Sequence, residues 1–161
     1  MFSTLIISVH CTLCFPVAFT TTYPATVVNR PTLTFTNVIT NQGLGFNRAT
    51  GTFTCPVAGL YYFTYYIYIH KTSRLDNGQF NLYKNEKPTG SFLKVNDKYD
   101  SYTRNIYNYG LGNSVVLRLV IGDIVELRYS DQRSNIDTLS MEMSMFSGML
   151  VARGEKAIQL N

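Results

Sequence analysis

The sequence predicts an all-β protein whose strands pack as a two-sheet sandwich or jelly roll. Turn residues recur every several positions along the chain, and the segments between them are rich in β-branched and aromatic residues. Several of these segments alternate apolar and polar residues, whereas no apolar stripe at helical spacing continues for three turns. The 161 residues, 45% of them hydrophobic, are enough for one domain with a substantial core.

The predicted strands follow one another along the chain with turns between them. Each strand ends at a cluster of Gly, Pro, Asn or Asp residues, which favour turns for backbone reasons. The predicted connections include residues 84–88, 110–113 and 130–137, which concentrate these residue types. In chain order, the predicted strands are 17–22, 33–38, 52–55, 60–70, 79–83, 114–120, 124–129 and 142–151.

The segment 60–70 lacks the polar face that a sandwich strand normally shows to water. Side chains alternate across a strand, and both sets of residues here are mainly aromatic or aliphatic. Segments 115–121 and 142–151 also carry apolar residues on both faces. A second copy of the chain would cover one face, and the alternative is a thick monomeric core. The predicted interface residues are Tyr62, Thr64, Tyr66, Tyr68, Met145 and Met149.

The charge pattern argues against a nucleic-acid partner, and the lengths of the apolar segments argue against a membrane span. The 14 Lys and Arg residues outnumber the 10 Asp and Glu residues, but the two signs are interleaved along the chain. Nucleic-acid binders concentrate positive charge on one face, so we expect an ordinary solvated surface and no nucleic-acid partner. No segment has the roughly 20 apolar residues that a membrane-spanning helix needs, so no membrane span is expected.

The first 15 residues carry no charge and are apolar over about the length of a signal-peptide core. We therefore predict a secreted, extracellular protein with a leader at 1–15, one globular domain at 16–152 and a tail at 153–161. A mis-started sequence would look similar, because no Lys or Arg lies near Met1. Cys11 and Cys14 lack the further ligands of a zinc site, and Cys55 is predicted to be a buried, unpaired thiol.

Catalytic motifs are missing from the sequence. It contains no Gly-x-Ser-x-Gly turn, no phosphate-binding loop and no zinc-protease motif. His70 is the only histidine outside the leader, and a hydrolytic triad would need an oriented carboxylate and nucleophile beside it. We therefore expect no enzymatic activity.

Residues 35–43 and 46–63 resemble the signature of the C1q-like globular domain family. The second of these segments reads FNRATGTFTCPVAGLYYF, and shorter matches lie at 17–19, 81–85, 116–127 and 146–150. The resemblance covers about 17–152. It implies a ten-stranded jelly-roll sandwich of the C1q and tumour-necrosis-factor type, assembled as a homotrimer. Residues at the family's core positions are Gly59, Tyr61, Phe63, Phe146 and Leu150, and Cys55 matches a cysteine that is usually unpaired.

The resemblance also implies a function in recognition outside the cell. The leading expectation is a lectin-like protein of innate immunity that binds glycans or proteins. The alternatives are a cytokine-like or cerebellin-like ligand for a cell-surface receptor and a structural matrix component. No Gly-x-y repeat precedes the domain, so a short form without a collagen stalk is expected.

Loops at the ends of the sandwich are the expected ligand surface. Tyr99, Tyr102, Tyr107 and Tyr109 are the candidate contacts, because exposed tyrosines adapt to sugars and proteins, although they could instead pack beneath their own loops. Some relatives hold calcium, and Asp131 and Asp137 are the oxygen donors available for it here. Isolated loop acids are also ordinary turn formers, and no other cofactor is expected.

Overall fold

A computed structural model describes residues 16–25, 31–70, 79–94, 108–130 and 143–154 of the chain. These residues form ten strands in two antiparallel five-stranded sheets, which confirms the predicted all-β jelly roll. The strands are β1 (Ala18–Ala25), β2 (Thr34–Gln42), β3 (Phe46–Asn47), β4 (Thr52–Thr54), β5 (Gly59–His70), β6 (Gln79–Lys84), β7 (Lys87–Lys94), β8 (Asn108–Leu119), β9 (Ile124–Ser130) and β10 (Met145–Arg153).

The strand order brings the first and last strands together at the centre of one sheet. This first sheet has the order β2-β1-β10-β5-β8, and the second sheet has the order β3-β4-β9-β6-β7. Strand β5 lies between β10 and β8 and pairs with β8 over its whole length, from Gly59 opposite Leu119 to His70 opposite Asn108. The long hydrophobic segment of the sequence therefore lies inside a sheet and not at its edge.

The prediction that residues 110–113 form a turn is wrong. These residues belong to β8, where Gly110 and Gly112 face away from the core and Leu111 packs against it. Glycine is usually a sign of a turn, but here a side chain from the neighbouring strand covers the two glycine positions. The strand therefore continues through them.

Strand β7 is also absent from the predicted set. The turn predicted at 84–88 is shorter, because Lys84 already pairs with Lys87 across the two residues Asn85 and Glu86. Both of these residues have positive φ, which is the geometry of a tight two-residue hairpin turn. Proline at position 88 favours a turn in the sequence, but β7 is an edge strand, where proline is tolerated.

The core between the sheets is built from packed aromatic rings. Phe146 lies with its ring centroid 5.0 Å from that of Phe19, 5.9 Å from Phe35 and 6.2 Å from Phe63. On the second sheet, Phe53 packs 5.2 Å from Phe19. Full burial of one such side chain contributes about 1.5–3 kcal/mol, so these rings hold the two sheets together.

Gly148 makes room for two of these rings. In the register of the first sheet it lies directly between Phe19 on β1 and Phe63 on β5. A Cβ atom at Gly148 would come within 2.6 Å of ring carbons of both phenylalanines. The rings thus fill the space above the glycine, and this row of three residues is the centre of the inner face.

A bulge interrupts β2, which is the outermost strand of the first sheet on one side. Thr20 pairs with Thr40 and Thr21 pairs with Val38, so Ile39 is an extra residue in the ladder. Its side chain is exposed. Such bulges bend and twist a strand locally.

The two ends of the sandwich carry different parts of the chain. At one end, the Leu150 N–H donates to the Val17 carbonyl, and the Gly154 N–H donates to the Ala58 carbonyl, each at 2.8 Å. The first and last described residues are therefore close to this end. The opposite end contains the strand ends at His70, Gln79, Lys94, Asn108, Ser130 and Met145.

Candidate assembly surface

The side chains of β5 divide between the core and the outer face of the first sheet. Tyr61, Phe63, Tyr65 and Ile67 are fully buried against the second sheet. The residues between them point away from the core because side chains alternate along a strand. The four interface residues predicted on β5, which are Tyr62, Thr64, Tyr66 and Tyr68, therefore share the outer face.

The register of β10 and β8 adds neighbours to this outer face in rows. Tyr62 lies opposite Met149 on one side and Val116 on the other. Tyr66 lies between Met145 and Gly112 in the same way. The structure thus brings the predicted residues of β5 and β10 together on one surface, and it adds Val116, which the prediction did not name.

Three side chains of this surface are exposed although they are apolar or aromatic. The exposed fractions are 40% for Tyr66, 48% for Met149 and 56% for Val116. Met149 and Val116 lie on either side of Tyr62 in one row, and Tyr66 lies two rows further along β5. With Tyr62 they form a patch on one face of the sheet, and exposed apolar patches of this kind mark interaction surfaces.

A row of hydroxyl groups crosses the middle of the patch. Thr64 lies opposite Ser147 on β10 and Ser114 on β8, and Ser147 lies opposite Thr20 on β1. The Ser147 hydroxyl donates to Thr20 Oγ1 at 3.1 Å, and Thr64 Oγ1 donates to the Asn113 carbonyl at 3.4 Å. The outer face therefore has one hydroxyl row between the row of Tyr62 and the row of Tyr66.

Charged side chains are rare in the first sheet. Arg118 and Arg153 are the only Lys, Arg, Asp or Glu residues in the five strands of this sheet. Arg118 is exposed on β8 opposite Leu60, near the end of the sandwich where the described chain ends lie. The centre of the outer face therefore carries no formal charge.

The outer face of the second sheet has the opposite character. Glu126 is buried there and accepts hydrogen bonds from Thr32 Oγ1 at 2.6 Å and from Arg128 Nε at 2.9 Å. The guanidinium of Arg128 also pairs with Glu86 and lies 4.5 Å from the ring centroid of Tyr83. Charge-assisted hydrogen bonds and a cation–π contact thus hold this network together on the outer face of the second sheet.

Asp123 closes the turn between β8 and β9, which carries the chain from the first sheet to the second. Its Oδ2 atom accepts from the Val120 N–H and from Lys84 Nζ, both at 2.9 Å, and its Oδ1 atom accepts from Asn85 Nδ2 at 2.7 Å. Burial alone would raise the pKa of this carboxyl, but these three donors outweigh burial and hold the pKa below its ordinary value. The carboxylate thus serves to fix this turn.

Cys55 is a buried, unpaired thiol at the end of the sandwich where the described chain ends lie. Its Sγ donates to the Val57 carbonyl at 3.1 Å, and the Tyr61 hydroxyl donates to the same carbonyl at 2.6 Å. Burial raises the pKa of the Cys55 thiol, which keeps it protonated. The group therefore has a structural role and is not an activated nucleophile.

The five residues at the predicted core positions lie in and beside the aromatic core. Tyr61, Phe63 and Phe146 are fully buried, and Leu150 is partly buried against them. Gly59 is buried at the start of β5, where a Cβ would come within 2.2 Å of the Ala152 carbonyl. Only glycine fits this approach of two strands without a shift of the backbone.

Most of the predicted ligand and calcium residues lie outside the described residues. This applies to Tyr99, Tyr102, Tyr107, Asp131 and Asp137. Tyr109 lies in β8, opposite Ile69, and not in a loop. Among the residues that the structure describes, no group of three or more His, Cys, Asp or Glu side chains could hold a metal ion. The two candidate calcium ligands, Asp131 and Asp137, are not among these residues.

Two antiparallel five-stranded sheets with this strand order define a jelly-roll sandwich with one neutral and one charged outer face. Within that class, the chain belongs to the C1q-domain family. The family model described as C1q domain matches residues 14–151, which is most of the chain.

Relatives of known identity agree with this assignment. The collagen alpha-1(X) chain of Mus musculus is 31% identical over 139 residues, which cover 86% of this chain and 18% of the relative. A complement C1q subcomponent of Homo sapiens is 36% identical over 122 residues, which cover 74% of this chain and 43% of the relative. The chain thus spans less than half the length of these relatives.

Among solved structures, the globular domain of the zebrafish complement 1qA protein shares the fold. The similarity has a TM-score of 0.62 at 21% sequence identity and covers 86% of this chain and 99% of that one. Nowhere in the described residues does the chain form a helix of the length and hydrophobicity needed to cross a membrane.

Proposed function

We propose that the protein is a secreted, non-enzymatic C1q-domain recognition protein that assembles as a homotrimer through the outer face of its first sheet. The observation that carries the proposal is the exposed apolar patch of Tyr66, Met149 and Val116 on a face whose centre has no formal charge. Copies arranged around an axis bring equivalent residues close together, so like charges at that place would repel. Membership of the C1q-domain family supports the same arrangement.

The composition of the patch fits a protein interface better than a solvated surface. Aromatic residues and methionine are enriched in the cores of interfaces, and charged residues are depleted there. The outer face has aromatic and methionine side chains at Tyr62, Tyr66, Met145 and Met149. Charged residues are scarce in the strands of the first sheet. The charged network of Glu126 and Arg128 lies on the opposite face and takes no part in the contact in this arrangement.

Substitution of Tyr66→Glu or Met149→Glu tests the interface. We expect either variant to dissociate the trimer, because the new carboxylates of the copies would lie together in a partly dehydrated contact. The measurement is the solution mass by light scattering after size-exclusion chromatography. The unsubstituted protein should have three times the mass of the chain.

Phe92→Glu is the matched control for these substitutions. Phe92 is also an exposed apolar strand residue, with 50% of its surface accessible, but it lies in the second sheet. We expect this variant to remain trimeric. If Tyr66→Glu and Met149→Glu also remain trimeric, the outer face of the first sheet is not the interface.

The ligand surface in this proposal is the end of the sandwich opposite the described chain ends. Strands β5 to β10 have ends there, and these ends flank residues 71–78, 95–107 and 131–142. These segments include Tyr99, Tyr102 and Tyr107, the candidate contacts for a glycan or protein ligand. A trimer would present three copies of this end in one direction, and multivalent contact raises overall avidity.

The alternative function as a cytokine-like or cerebellin-like receptor ligand uses the same fold, and the fold does not decide between them. Binding of the trimer to immobilised glycans or bacterial surfaces, with loss on combined Tyr99→Ala, Tyr102→Ala and Tyr107→Ala substitution, would support the recognition function. Saturable nanomolar binding to cells, without binding to glycan surfaces, would support the receptor-ligand function. Addition of a chelator to both assays tests whether binding depends on calcium.

A further inference from the structure

The side chain of Tyr66 lies lengthwise along the neighbouring strand β8. In the register of the sheet Tyr66 is opposite Gly112, and its ring extends from there towards Gly110. A Cβ atom at Gly112 would lie 3.4 Å from Tyr66 Cδ2, which is ordinary contact. A Cβ atom at Gly110 would lie 1.7 Å from the Tyr66 hydroxyl oxygen and 2.3 Å from Cζ, so the phenol occupies the space of the missing side chain.

This arrangement gives the phenol ring a support made of backbone. Side chains on one face of a strand normally project every second residue, but Gly110 and Gly112 leave two successive outer positions of β8 empty. The ring covers these positions, and 40% of the Tyr66 side chain remains exposed on the side away from β8. The result is an exposed aromatic surface that follows the sheet.

Two glycines on one face of a strand lower its stability. Glycine in the interior of a strand costs roughly 0.5–1 kcal/mol relative to alanine, because its backbone loses more freedom on folding. The backbone conformation does not require glycine here, since neither Gly110 nor Gly112 is among the described residues with positive φ. At Gly110 the space taken by Tyr66 is therefore the only steric reason for glycine that the structure shows.

We propose that Gly110 is a positioning residue for assembly, which holds the Tyr66 ring against β8 so that its exposed side contacts a second copy of the chain. This inference rests on the homotrimer proposed above and adds the geometry of one contact within it. The partner is a copy of the chain because the surface around Tyr66 is neutral, with Met145 opposite it on β10. An alanine at Gly110 would push the ring away from β8 into the space of the neighbouring protomer.

Gly110→Ala and Gly112→Ala form a matched pair for the test. Both substitutions make the same chemical change on the same face of the same strand, but only the first displaces Tyr66. The measurement is the protomer concentration at half-assembly, obtained by sedimentation equilibrium over a dilution series. We expect this concentration to rise at least tenfold for Gly110→Ala, whereas Gly112→Ala should stay within about threefold of the unsubstituted protein.

A double substitution separates positioning from a general effect on β8. In a Tyr66→Ala background the ring is absent, so Gly110→Ala has no atom to displace. We expect Tyr66→Ala and Tyr66→Ala/Gly110→Ala to assemble at the same concentration and to have the same far-UV circular dichroism. Because the double variant contains no clash, it remains informative even if Gly110→Ala alone folds poorly.

The outcomes distinguish this inference from the trimer proposal. If the unsubstituted protein is a monomer at every concentration, the trimer and the role of Gly110 are both wrong. If it is a trimer and Gly110→Ala assembles like Gly112→Ala, only the role of Gly110 is wrong. A further weakening by Gly110→Ala in the Tyr66→Ala background would also overturn the inference, because the glycine would then act without the ring.

Discussion

At the scale of single residues, Asp123 joins two parts of the chain at one turn. Its carboxylate accepts hydrogen bonds from the Val120 N–H beside it and from Lys84 and Asn85 at the end of β6. The sequence indicates a turn at Gly122-Asp123, but it does not indicate that the β6–β7 hairpin supplies the other donors. Those partners depend on the pairing of β6 with β9, which is a property of the sheet register.

We expect Asp123→Asn to lower the free energy of unfolding by about 1–2 kcal/mol at pH 7, because the amide keeps an acceptor but loses the charge that faces Lys84. The folded-state pKa of Asp123 lies below its ordinary value. Its stabilisation is therefore complete above the ordinary carboxyl pKa of about 4 and is lost as the pH falls through the folded-state pKa.

Urea denaturation between pH 2 and pH 7, at a fixed protomer concentration, measures this effect. The difference between Asp123→Asn and the unsubstituted protein should be constant from pH 7 to about pH 5 and should shrink below pH 4. Glu86→Gln is a suitable control, since Glu86 is an exposed carboxylate and exposed ion pairs contribute little. An equal difference at every pH would show that the charge of Asp123 is not the stabilising feature.

At the scale of elements, the sequence predicts best a strand that is a long, uninterrupted run of aromatic and β-branched residues. Strand β5 is predicted almost to the residue, because its inner face is a continuous series from Tyr61 to Ile67. Strand β7 is missed, because it begins next to Pro88 and contains Gly90. The first half of β8 is missed because of its two glycines.

The common cause of these misses is that glycine and proline indicate turns by their local preferences, whereas their neighbours in the sheets allow strands. Pro88 is tolerated because β7 is at the edge of its sheet, where one row of N–H groups has no neighbouring strand. Gly110 and Gly112 are tolerated because Tyr66, which is distant in sequence, covers them. Both reasons belong to tertiary structure, which a single sequence does not display.

The row of Phe19, Gly148 and Phe63 allows a test of how tightly the core is packed. We expect Gly148→Ala to lower the free energy of unfolding by about 1–3 kcal/mol, because the new methyl group would overlap both rings. Gly112→Ala is again the control, since its methyl group meets only ordinary contacts. Denaturation midpoints at one protomer concentration give the comparison, and equal midpoints would show that the rings can move aside.

At the scale of the whole molecule, the two outer faces differ in charge, and this difference governs how assembly responds to salt. The centre of the proposed interface is neutral, so few charged pairs are formed or broken on association. We expect the protomer concentration at half-assembly to change less than about threefold between 0.05 and 0.5 M sodium chloride, a range that screens exposed charges strongly. A tenfold or larger change would assign the interface to the charged face of the second sheet.

The fold class and the aromatic core residues could be predicted from the sequence, because alternation along strands determines which residues face inward. The predicted interface residues on β5 and β10 share one face for the same reason. Val116 and the hydroxyl row through Thr64 could not be predicted, because they depend on which residues of β8 and β1 lie opposite β5 and β10. The alternation of side chains along a strand determines which face a residue occupies, whereas the pairing register between strands determines which residues lie beside it.

The bulge at Ile39 has a consequence for solubility. Strand β2 is the outermost described strand on its side of the first sheet, and its sequence TFTNVITNQ contains no charged residue that would deter another strand. Uncharged, regular edge strands are templates for fibrillar aggregation. The extra residue bends this edge near its middle, so a second molecule cannot extend the hydrogen-bonded ladder along the full strand. The irregularity thereby protects the domain at high concentration in place of the missing charges.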